Sequence, residues 1–244
     1  MDVYQRLLAA FGPQHWWPGD GGPFEVCVGA ILTQSAAWTN VEKALGRLKE
    51  AGLLSPQALD RAPQAEVAAL VYSSGYFNAK ARKLKAFARR LCQVYGGDID
   101  RLLARPTDEL RTELLGIHGI GEETADDMLL YAARQPSFVV DAYTRRIFSR
   151  LGIEPDSARP EPAPVRPEPV EGRHESLGKV PRRPQRDSYQ AWRTLFMDAL
   201  PQDTALFNEF HALLVALGKD VCLKRAPRCG ECPLRDVCVV GRGS

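Results

Sequence analysis

Apolar residues recur at helical spacing along most of the chain, and this pattern decides the fold class. One stripe runs from Leu84 to Val94, and another runs from Leu206 to Leu217. Side chains three and four positions apart lie on one face of a helix, so each stripe predicts a helix with one buried face. Turns rich in glycine and proline separate the stripes, and only the short run Phe138–Val140 is typical of a strand. The sequence therefore predicts an all-α protein.

The composition of the 244 residues, of which 45% are hydrophobic and 25% charged, is that of an ordinary globular protein. No apolar run approaches the roughly 20 residues of a membrane-spanning helix, so we expect no contact with a membrane. The N-terminus has neither the basic start nor the small-residue cleavage site of a signal peptide. We therefore expect a cytoplasmic location, associated with the nucleoid if the source is bacterial. The net charge of +2 does not by itself indicate a nucleic acid partner.

Four of the six cysteines lie close to the C-terminus, at the spacing C-x6-C-x2-C-x5-C: Cys222, Cys229, Cys232 and Cys238. Four thiolates at such short spacing can hold a [4Fe–4S] cluster. Zinc also binds four thiolates, usually through two C-x2-4-C pairs of which only one is present here, and free thiols are the third alternative. Three basic residues between the first two cysteines are placed to contact phosphates: Lys224, Arg225 and Arg228.

Two further motifs place polar groups at helix boundaries. Residues 114–125 read LLGIHGIGEETA, which predicts two short helices joined by a turn that contains Gly119 and Gly121. Backbone N–H groups at such a turn can bind a phosphate, although a plain helical hairpin has the same pattern. Asp141 follows an apolar run and precedes a helix, where an aspartate is usually an N-cap. Each motif alone is therefore compatible with a purely structural role.

Taken together and in this order, the hairpin, Asp141 and the four cysteines resemble the endonuclease III family of helix-hairpin-helix DNA glycosylases. The runs GAILTQ at 29–34 and GYFNAKA at 75–81 extend the resemblance over most of the chain. The resemblance implies that Asp141 is a catalytic residue and that the hairpin contacts DNA phosphates through Gly119, Gly121 and Thr124. It also implies a [4Fe–4S] cluster as cofactor and damaged double-stranded DNA as the partner, bound by a monomer.

The resemblance further implies a particular architecture. Two helical lobes are expected around a DNA-binding cleft, the helix-hairpin-helix lobe at residues 24–132 and a second lobe formed by residues 1–23 with 133–221. An iron–sulfur loop at 222–238 follows the second lobe.

One position departs from the family and bears on the mechanism. Bifunctional members carry a lysine two residues after the second hairpin glycine, and its amine attacks the sugar. Here that residue is Glu123, which cannot form a Schiff base. The resemblance therefore implies a monofunctional glycosylase in which Asp141 and Glu123 form the catalytic site. A DNA-binding homologue with little or no catalysis and a glycosylase of oxidised pyrimidines with lyase activity are the alternatives.

The aromatic residues near the N-terminus resemble those of the 3-methyladenine branch of this superfamily. Trp16, Trp17 and Trp38 are expected to line the pocket of the extruded base together with Gln34, although core packing is the common role of a tryptophan. Because N3-alkylated adenine is cationic and indole faces attract cations, such a pocket favours an alkylated purine. Gln34 or Tyr76 is expected to fill the gap that the extruded base leaves in the duplex.

Residues 80–90 read KARKLKAFARR and carry six basic and no acidic side chains. On a helix whose apolar face is buried, Lys80 and Arg82 are expected to point outward. Together with Tyr76, whose run aligns with a family loop that enters the duplex, they are predicted DNA contacts.

Residues 154–187 interrupt the helical pattern and have no counterpart in the family. They hold eight of the 18 prolines and almost no large apolar side chains. Proline lacks the backbone N–H donor of a helix or a sheet, so the sequence predicts a disordered, proline-rich insertion. A tolerated surface insertion and an arm that contacts DNA are both compatible with this composition.

Overall fold

The computed structural model describes residues 1–16, 21–155 and 189–243. Within these ranges the chain is helical and contains no β-strand, which confirms the predicted all-α fold. The predicted disordered insertion at 154–187 lies outside the described residues, apart from residues 154 and 155. Trp17 also lies outside them. Among the described helices, none has the length and apolar character needed to span a bilayer.

The described ranges contain twelve α-helices. In chain order they are α1 (Asp2–Phe11), α2 (Gly22–Thr33), α3 (Trp38–Glu50), α4 (Pro56–Arg61), α5 (Gln64–Leu70), α6 (Phe77–Tyr95), α7 (Ile99–Leu103), α8 (Thr107–Leu115), α9 (Glu122–Asp127), α10 (Ala142–Leu151), α11 (Tyr189–Ala199) and α12 (Thr204–Asp220). A π-helical turn, Met128–Ala132, continues α9 directly.

Aspartate side chains begin several of these helices. The Oδ1 atom of Asp98 accepts the N–H of Arg101 at the start of α7, and Asp203 does the same at the start of α12. An N-cap of this kind satisfies a backbone donor that has no partner within the helix. The predicted N-cap geometry is therefore a general device of this chain, and Asp141 at the start of α10 is one instance of it.

The helices pack around two separate hydrophobic cores. The first core contains buried residues between Phe24 and Leu129, with the Phe24 and Phe87 rings stacked at 6.0 Å between their centroids. The second core joins α1 to residues between Leu130 and Leu234, and its centre is Phe138. The ring of Phe138 stacks on Phe196 at 4.2 Å, which explains why the short apolar run 138–140 is buried although it pairs with no strand.

A buried carboxylate joins the two cores behind the hairpin. Asp126 on α9 is completely buried. It accepts hydrogen bonds from Arg111 on α8 at 2.9 and 3.1 Å and from the Ser137 hydroxyl at 2.6 Å. Arg193 on α11 completes the cluster, 3.3 Å from the same carboxylate. A buried charge is tolerated only when it is paired and hydrogen-bonded, so this cluster fixes α9 against α8 and α11.

The structure corrects the prediction that Lys80 contacts DNA. Its side chain is 2% exposed, and its ammonium group donates to the carbonyl oxygens of Leu32 at 2.8 Å and Ser74 at 2.5 Å. These carbonyls lie at the end of α2 and in the turn before α6, where the backbone lacks helical partners. The amphipathic pattern did not reveal the burial, because the packing of α2 against α6 covers the first turn of the basic helix. Arg82, by contrast, is exposed.

Lys80 is therefore expected to stabilise the fold. Lys80→Met keeps the aliphatic stem but leaves the Leu32 and Ser74 carbonyls without a donor, and an unpaired buried group costs about 1–3 kcal/mol. We expect the free energy of unfolding, measured by denaturant titration, to fall by about 2 kcal/mol. The matched control Arg82→Met, on the exposed face of α6, should change it by less than about 0.5 kcal/mol. Unchanged stability with weaker DNA binding in Lys80→Met would contradict this assignment.

The free energy of unfolding measured in this experiment should also depend on pH. Burial, together with the charge of Lys83, lowers the pKa of Lys80 from 10.5 to about 8. Between these two values the unfolded chain binds more protons than the folded chain, so the stability of the wild type rises with pH. Lys80→Met lacks the titrating group and should not show this rise.

Candidate active site

A cavity of about 650 Å³ opens between the two cores. Its walls come from the segment after α1, the turn between α2 and α3, α9 with its π-helical continuation, and helices α10 and α12. The lining side chains that carry chemistry or large aromatic surface are Trp16, Trp38, Glu123, Asp127, Tyr131, Asp141, Tyr143, His211, Lys219 and Asp220.

Asp141 is both a helix cap and a wall of this cavity. Its Oδ1 atom accepts the backbone N–H of Thr144 at 2.7 Å, and 15% of its side chain is exposed. Burial acts to raise the pKa of Asp141, but the interaction with His211 and the Thr144 hydrogen bonds outweigh it, so the net pKa lies below the usual value. Asp141 is therefore a carboxylate at neutral pH, and its structural and chemical roles are compatible.

Two further carboxyl groups face the same space. Glu123 stands at the mouth of the cavity, where burial by the surrounding protein and then the charge of Asp141 raise its pKa. Asp127 lies one helical turn further along α9, and burial, followed by Glu123 and Asp141, raises its pKa well above the usual value. Sequence reasoning missed Asp127, although its spacing of four residues from Glu123 was a signal that both share one helix face.

Aromatic rings form the opposite side of the cavity. Trp16 lies edge-on to Tyr131 at 6.0 Å between ring centroids and is tilted over the ring of His211 at 5.6 Å. Trp38 lines the cavity from the start of α3. The structure therefore brings two of the predicted tryptophans to Asp141. Tyr131 and His211 were missed, because each sits within an apolar helical stripe that predicts only core packing.

Gln34 is not among the residues that line this cavity, so the structure does not place it in the base pocket as predicted. Its side-chain amide donates to the Gly119 carbonyl at 3.1 Å and to the Thr124 hydroxyl at 2.9 Å, and its carbonyl accepts from Lys83. The wedge role of Gln34 and the phosphate contact of Thr124 stay predictions. Gln34 instead ties the end of α2 to the hairpin.

The hairpin borders a second, open groove of about 590 Å³. Gly119 has a φ of 87°, and a Cβ atom there would lie 2.2 Å from the Lys83 side chain. Both the backbone conformation and the close approach therefore require glycine. Gly121 precedes α9 as its N-cap and also lines the groove. The loop before α6 presents Tyr76, which is 76% exposed and has a φ of 44°.

The cysteine loop packs against the far end of α10. Arg150 donates to the Cys222 sulfur at 3.2 Å and to the Leu223 carbonyl at 2.8 Å. Arg146 donates to the carbonyls of Cys222 and Gly218. Three basic residues of the loop are exposed: Lys224, Arg225 and Arg228. One helix, α10, therefore begins at Asp141 and ends against this loop.

The donor set of the loop consists only of sulfur. Cys222, Cys232 and Cys238 contact the second core, and Cys229 begins a short helical turn between them. Within the described ranges, no group of three or more His, Cys, Asp or Glu side chains is arranged to hold a metal ion. Four sulfur donors are the ligand set that either an iron–sulfur cluster or a structural zinc would take.

The sequence is similar to those of known base excision repair proteins. Residues 28–166 match the family described as HhH-GPD superfamily base excision DNA repair protein. A candidate DNA repair glycosylase of Methanocaldococcus jannaschii is 36% identical over 238 residues, which cover 97% of this chain and 94% of that protein. Endonuclease III of Thermotoga maritima is 29% identical over 216 residues, which cover 88% of this chain and 82% of that protein.

Solved structures share the fold. An endonuclease III in a non-covalent complex with DNA has a TM-score of 0.75 at 22% identity, covering 99% of this chain and 94% of that one. The 3-methyladenine DNA glycosylase of H. pylori, bound to 1,N6-ethenoadenine, has a TM-score of 0.68 at 22% identity, covering 89% and 96%. The sequence and structural similarities together confirm the predicted family resemblance.

Proposed function

Because this chain belongs to the HhH-GPD superfamily of base excision DNA repair proteins and is a DNA glycosylase, we propose that it hydrolyses the N-glycosidic bond of an alkylated purine without lyase activity. The observation that carries this proposal is the cavity in which the Asp141 carboxylate faces aromatic walls. The residue at the position of the family's lysine nucleophile, Glu123, lines the same cavity.

The proposed reaction uses Asp141 as the catalytic residue. A base inside the duplex is unreachable, so the damaged nucleotide is extruded into the cavity. As the bond between the sugar and the base breaks, its electron pair leaves with the base and the sugar becomes cationic. The Asp141 carboxylate stabilises this charge and accepts the proton of the water that adds to the sugar. The products are the free base and an abasic site.

In this proposal the protein has no lyase activity because Glu123 stands where a lyase has its lysine. A lyase forms a covalent imine between an amine and the sugar, and a carboxyl group cannot take part in that step. The raised pKa of Glu123 keeps it compatible with the neighbouring charge of Asp141, since two close carboxylates repel each other. Glu123 therefore assists hydrolysis at the cavity mouth.

The lining of the cavity supports a cationic purine as substrate. Trp16 and Trp38 offer indole faces, which attract cations by roughly 0.5–2 kcal/mol each. The Asp141 carboxylate adds negative potential, and N3-alkylated adenine carries a positive charge. The H. pylori 3-methyladenine glycosylase shares only the fold at 22% identity, so the support for this substrate class comes from the chain's own residues.

DNA binding is proposed to involve the face that carries the hairpin. The exposed elements of this face are the Tyr76 loop, Arg82 and the turn with Gly119 and Gly121, and the exposed basic residues of the cysteine loop are further candidate contacts. Contacts from backbone N–H groups and basic side chains go to phosphates and carry no sequence information. Damaged double-stranded DNA, bound by one copy of the chain, fits this arrangement.

We also propose that Cys222, Cys229, Cys232 and Cys238 hold a [4Fe–4S] cluster. When bound, such a cluster would supply a rigid covalent framework for the loop, because a loop with few apolar residues gains its folding energy from its ligands. The contact of Arg150 with the Cys222 sulfur compensates the negative charge that four thiolates bring to this site.

The role of Asp141 is tested by comparing two capping aspartates. Asp141→Asn should abolish the release of 3-methyladenine from methylated duplex DNA, because the amide cannot stabilise a cationic sugar or accept a proton. Asp203→Asn is the matched control: Asp203 caps α12 with the same 2.7 Å hydrogen bond but is exposed and outside the cavity. Equal activity of Asp141→Asn and Asp203→Asn would refute the proposed mechanism.

The absence of lyase chemistry is tested by restoring an amine. Wild-type protein treated with borohydride on abasic duplex DNA should give no covalent complex, since no imine forms. Glu123→Lys should give one, while Glu122→Lys, one position away, should not. If the wild type is trapped and cleaves duplexes with thymine glycol, the oxidised-pyrimidine alternative is correct. Release of no base from either substrate would support the non-catalytic homologue.

The cluster is tested by metal analysis of the purified protein. We expect a yellow-brown protein with about four irons per chain, as a cluster held by four thiolates requires. Cys229→Ser should lose the iron and the visible absorption, whereas Cys92→Ser, which changes a cysteine outside the loop, should retain both. One equivalent of zinc without visible absorption would contradict the proposal.

A further inference from the structure

His211 lies in the wall of the cavity with both ring nitrogens directed at functional groups. The residue is 4% exposed on α12. Its Nδ1 atom is hydrogen-bonded to the Tyr131 hydroxyl, and its Nε2 atom is 3.7 Å from the Oδ2 atom of Asp141. That Nε2 atom is buried and has no hydrogen-bond partner within the described part of the chain. A buried polar atom without a partner costs free energy, so its placement opposite Asp141 needs a functional explanation.

Tyr131 determines which nitrogen of His211 carries the proton. Burial, followed by the nearby charges of Asp127 and Asp141, raises the pKa of Tyr131 well above its usual value. Tyr131 is therefore a neutral phenol, which can donate to Nδ1 or accept from it. Only donation by the phenol leaves the proton on Nε2, where it faces the Asp141 carboxylate; the other tautomer would place a lone pair of Nε2 opposite that carboxylate. A neutral imidazole with an accepting Nδ1 carries its proton on Nε2, and in this cavity Nε2 faces Asp141.

We propose that His211 is a positioning residue for Asp141, with Tyr131 orienting the ring so that its Nε2–H donates to the Oδ2 atom of the carboxylate. This inference rests on the catalytic role of Asp141 proposed above. The Thr144 amide already holds Oδ1, so a donor at Oδ2 fixes the carboxylate plane toward the cavity. A gap of 3.7 Å exceeds a hydrogen bond, and such contacts tighten when substrate fills a site.

The pair also explains which carboxyl group of the cavity carries the charge. The groups that face this space are Glu123 and Asp127 from α9, Tyr131 from the π-helical turn, Asp141 and the nearby Arg145 from the start of α10, and Lys219 and Asp220 at the end of α12. Among the carboxyl groups that line the cavity, Glu123 and Asp127 have raised pKa values, whereas Asp141 has a lowered one. His211 is the largest cause that lowers it.

The pH dependence of base release separates this role from simple packing. Under single-turnover conditions on duplex DNA methylated with dimethyl sulfate, the acidic limb of the wild-type rate reports the ionisation of Asp141. In His211→Leu this limb should move up by about one pH unit, because the carboxylate loses its donor. Tyr131→Phe should move it in the same direction by a smaller amount. His15→Gln, an exposed histidine, is the control and should leave it unchanged.

The tautomer of His211 gives a readout that needs no activity and no variant of His211. In a proton–nitrogen correlation spectrum of wild-type protein labelled with nitrogen-15 at histidine, the His211 ring should carry its proton on Nε2 at neutral pH. A proton on Nδ1 alone would overturn the inference. A uniform fall of the His211→Leu rate at all pH values, with an unshifted acidic limb, would also overturn it.

These outcomes distinguish the inference from the proposed function. If Asp141→Asn still releases base, the proposed mechanism fails, whatever His211 does. If Asp141→Asn is inactive but the acidic limb of His211→Leu is unshifted, the inference alone fails. If His211→Leu does not fold, the wild-type tautomer and the Tyr131→Phe profile decide the question.

Discussion

The burial of Asp126 between two arginines is the interaction on which the arrangement of the site depends. Asp126 sits on α9 between the two core clusters, and its partners Arg111 and Arg193 come from α8 and α11. A fully buried carboxylate without these partners would cost several kcal/mol, so α9 has one favourable orientation. In that orientation the neighbouring face of α9 directs Glu123 and Asp127 into the cavity. The hydroxyl of Ser137, which also binds Asp126, fixes the start of the segment that leads to Asp141.

Glu123, Asp127 and Asp141 line one cavity. Hydrogen bonds and burial shift their pKa values in different directions, which limits the repulsion between them. Two carboxyl groups at close range cannot both ionise easily, so their pKa values must differ. The Thr144 amide and His211 favour the charged form of Asp141, whereas burial favours the neutral forms of Glu123 and Asp127. Of these three groups, Asp141 is therefore the one that loses its proton most readily. This is the division of roles that a hydrolytic site needs at neutral pH.

The sequence predicted the parts of this structure that depend on local patterns. The helical stripes predicted the all-α fold class. The order of the family's motifs predicted Asp141 as a residue of the site. The exposure of Lys80 and the pocket position of Gln34 were predicted wrongly, because a basic or amide side chain has the same local pattern whether it faces solvent or a neighbouring backbone. The packing of α6 on α2 buried Lys80, and the approach of the hairpin to α2 engaged Gln34. His211 was missed for the converse reason, since its polar role depends on Asp141 and Tyr131, which are 70 and 80 residues away in sequence.

The geometry of α10 limits what the cysteine loop can contribute to the reaction. The helix contains ten residues, and at 1.5 Å per residue its two ends are about 15 Å apart. Asp141 lies at one end, while Arg146 and Arg150 hold the loop along the other. A group bound by the four thiols is therefore too far from Asp141 to touch the reacting atoms. In the proposed reaction such a group would act through the fold, by fixing the end of α10 and the position of the basic loop residues.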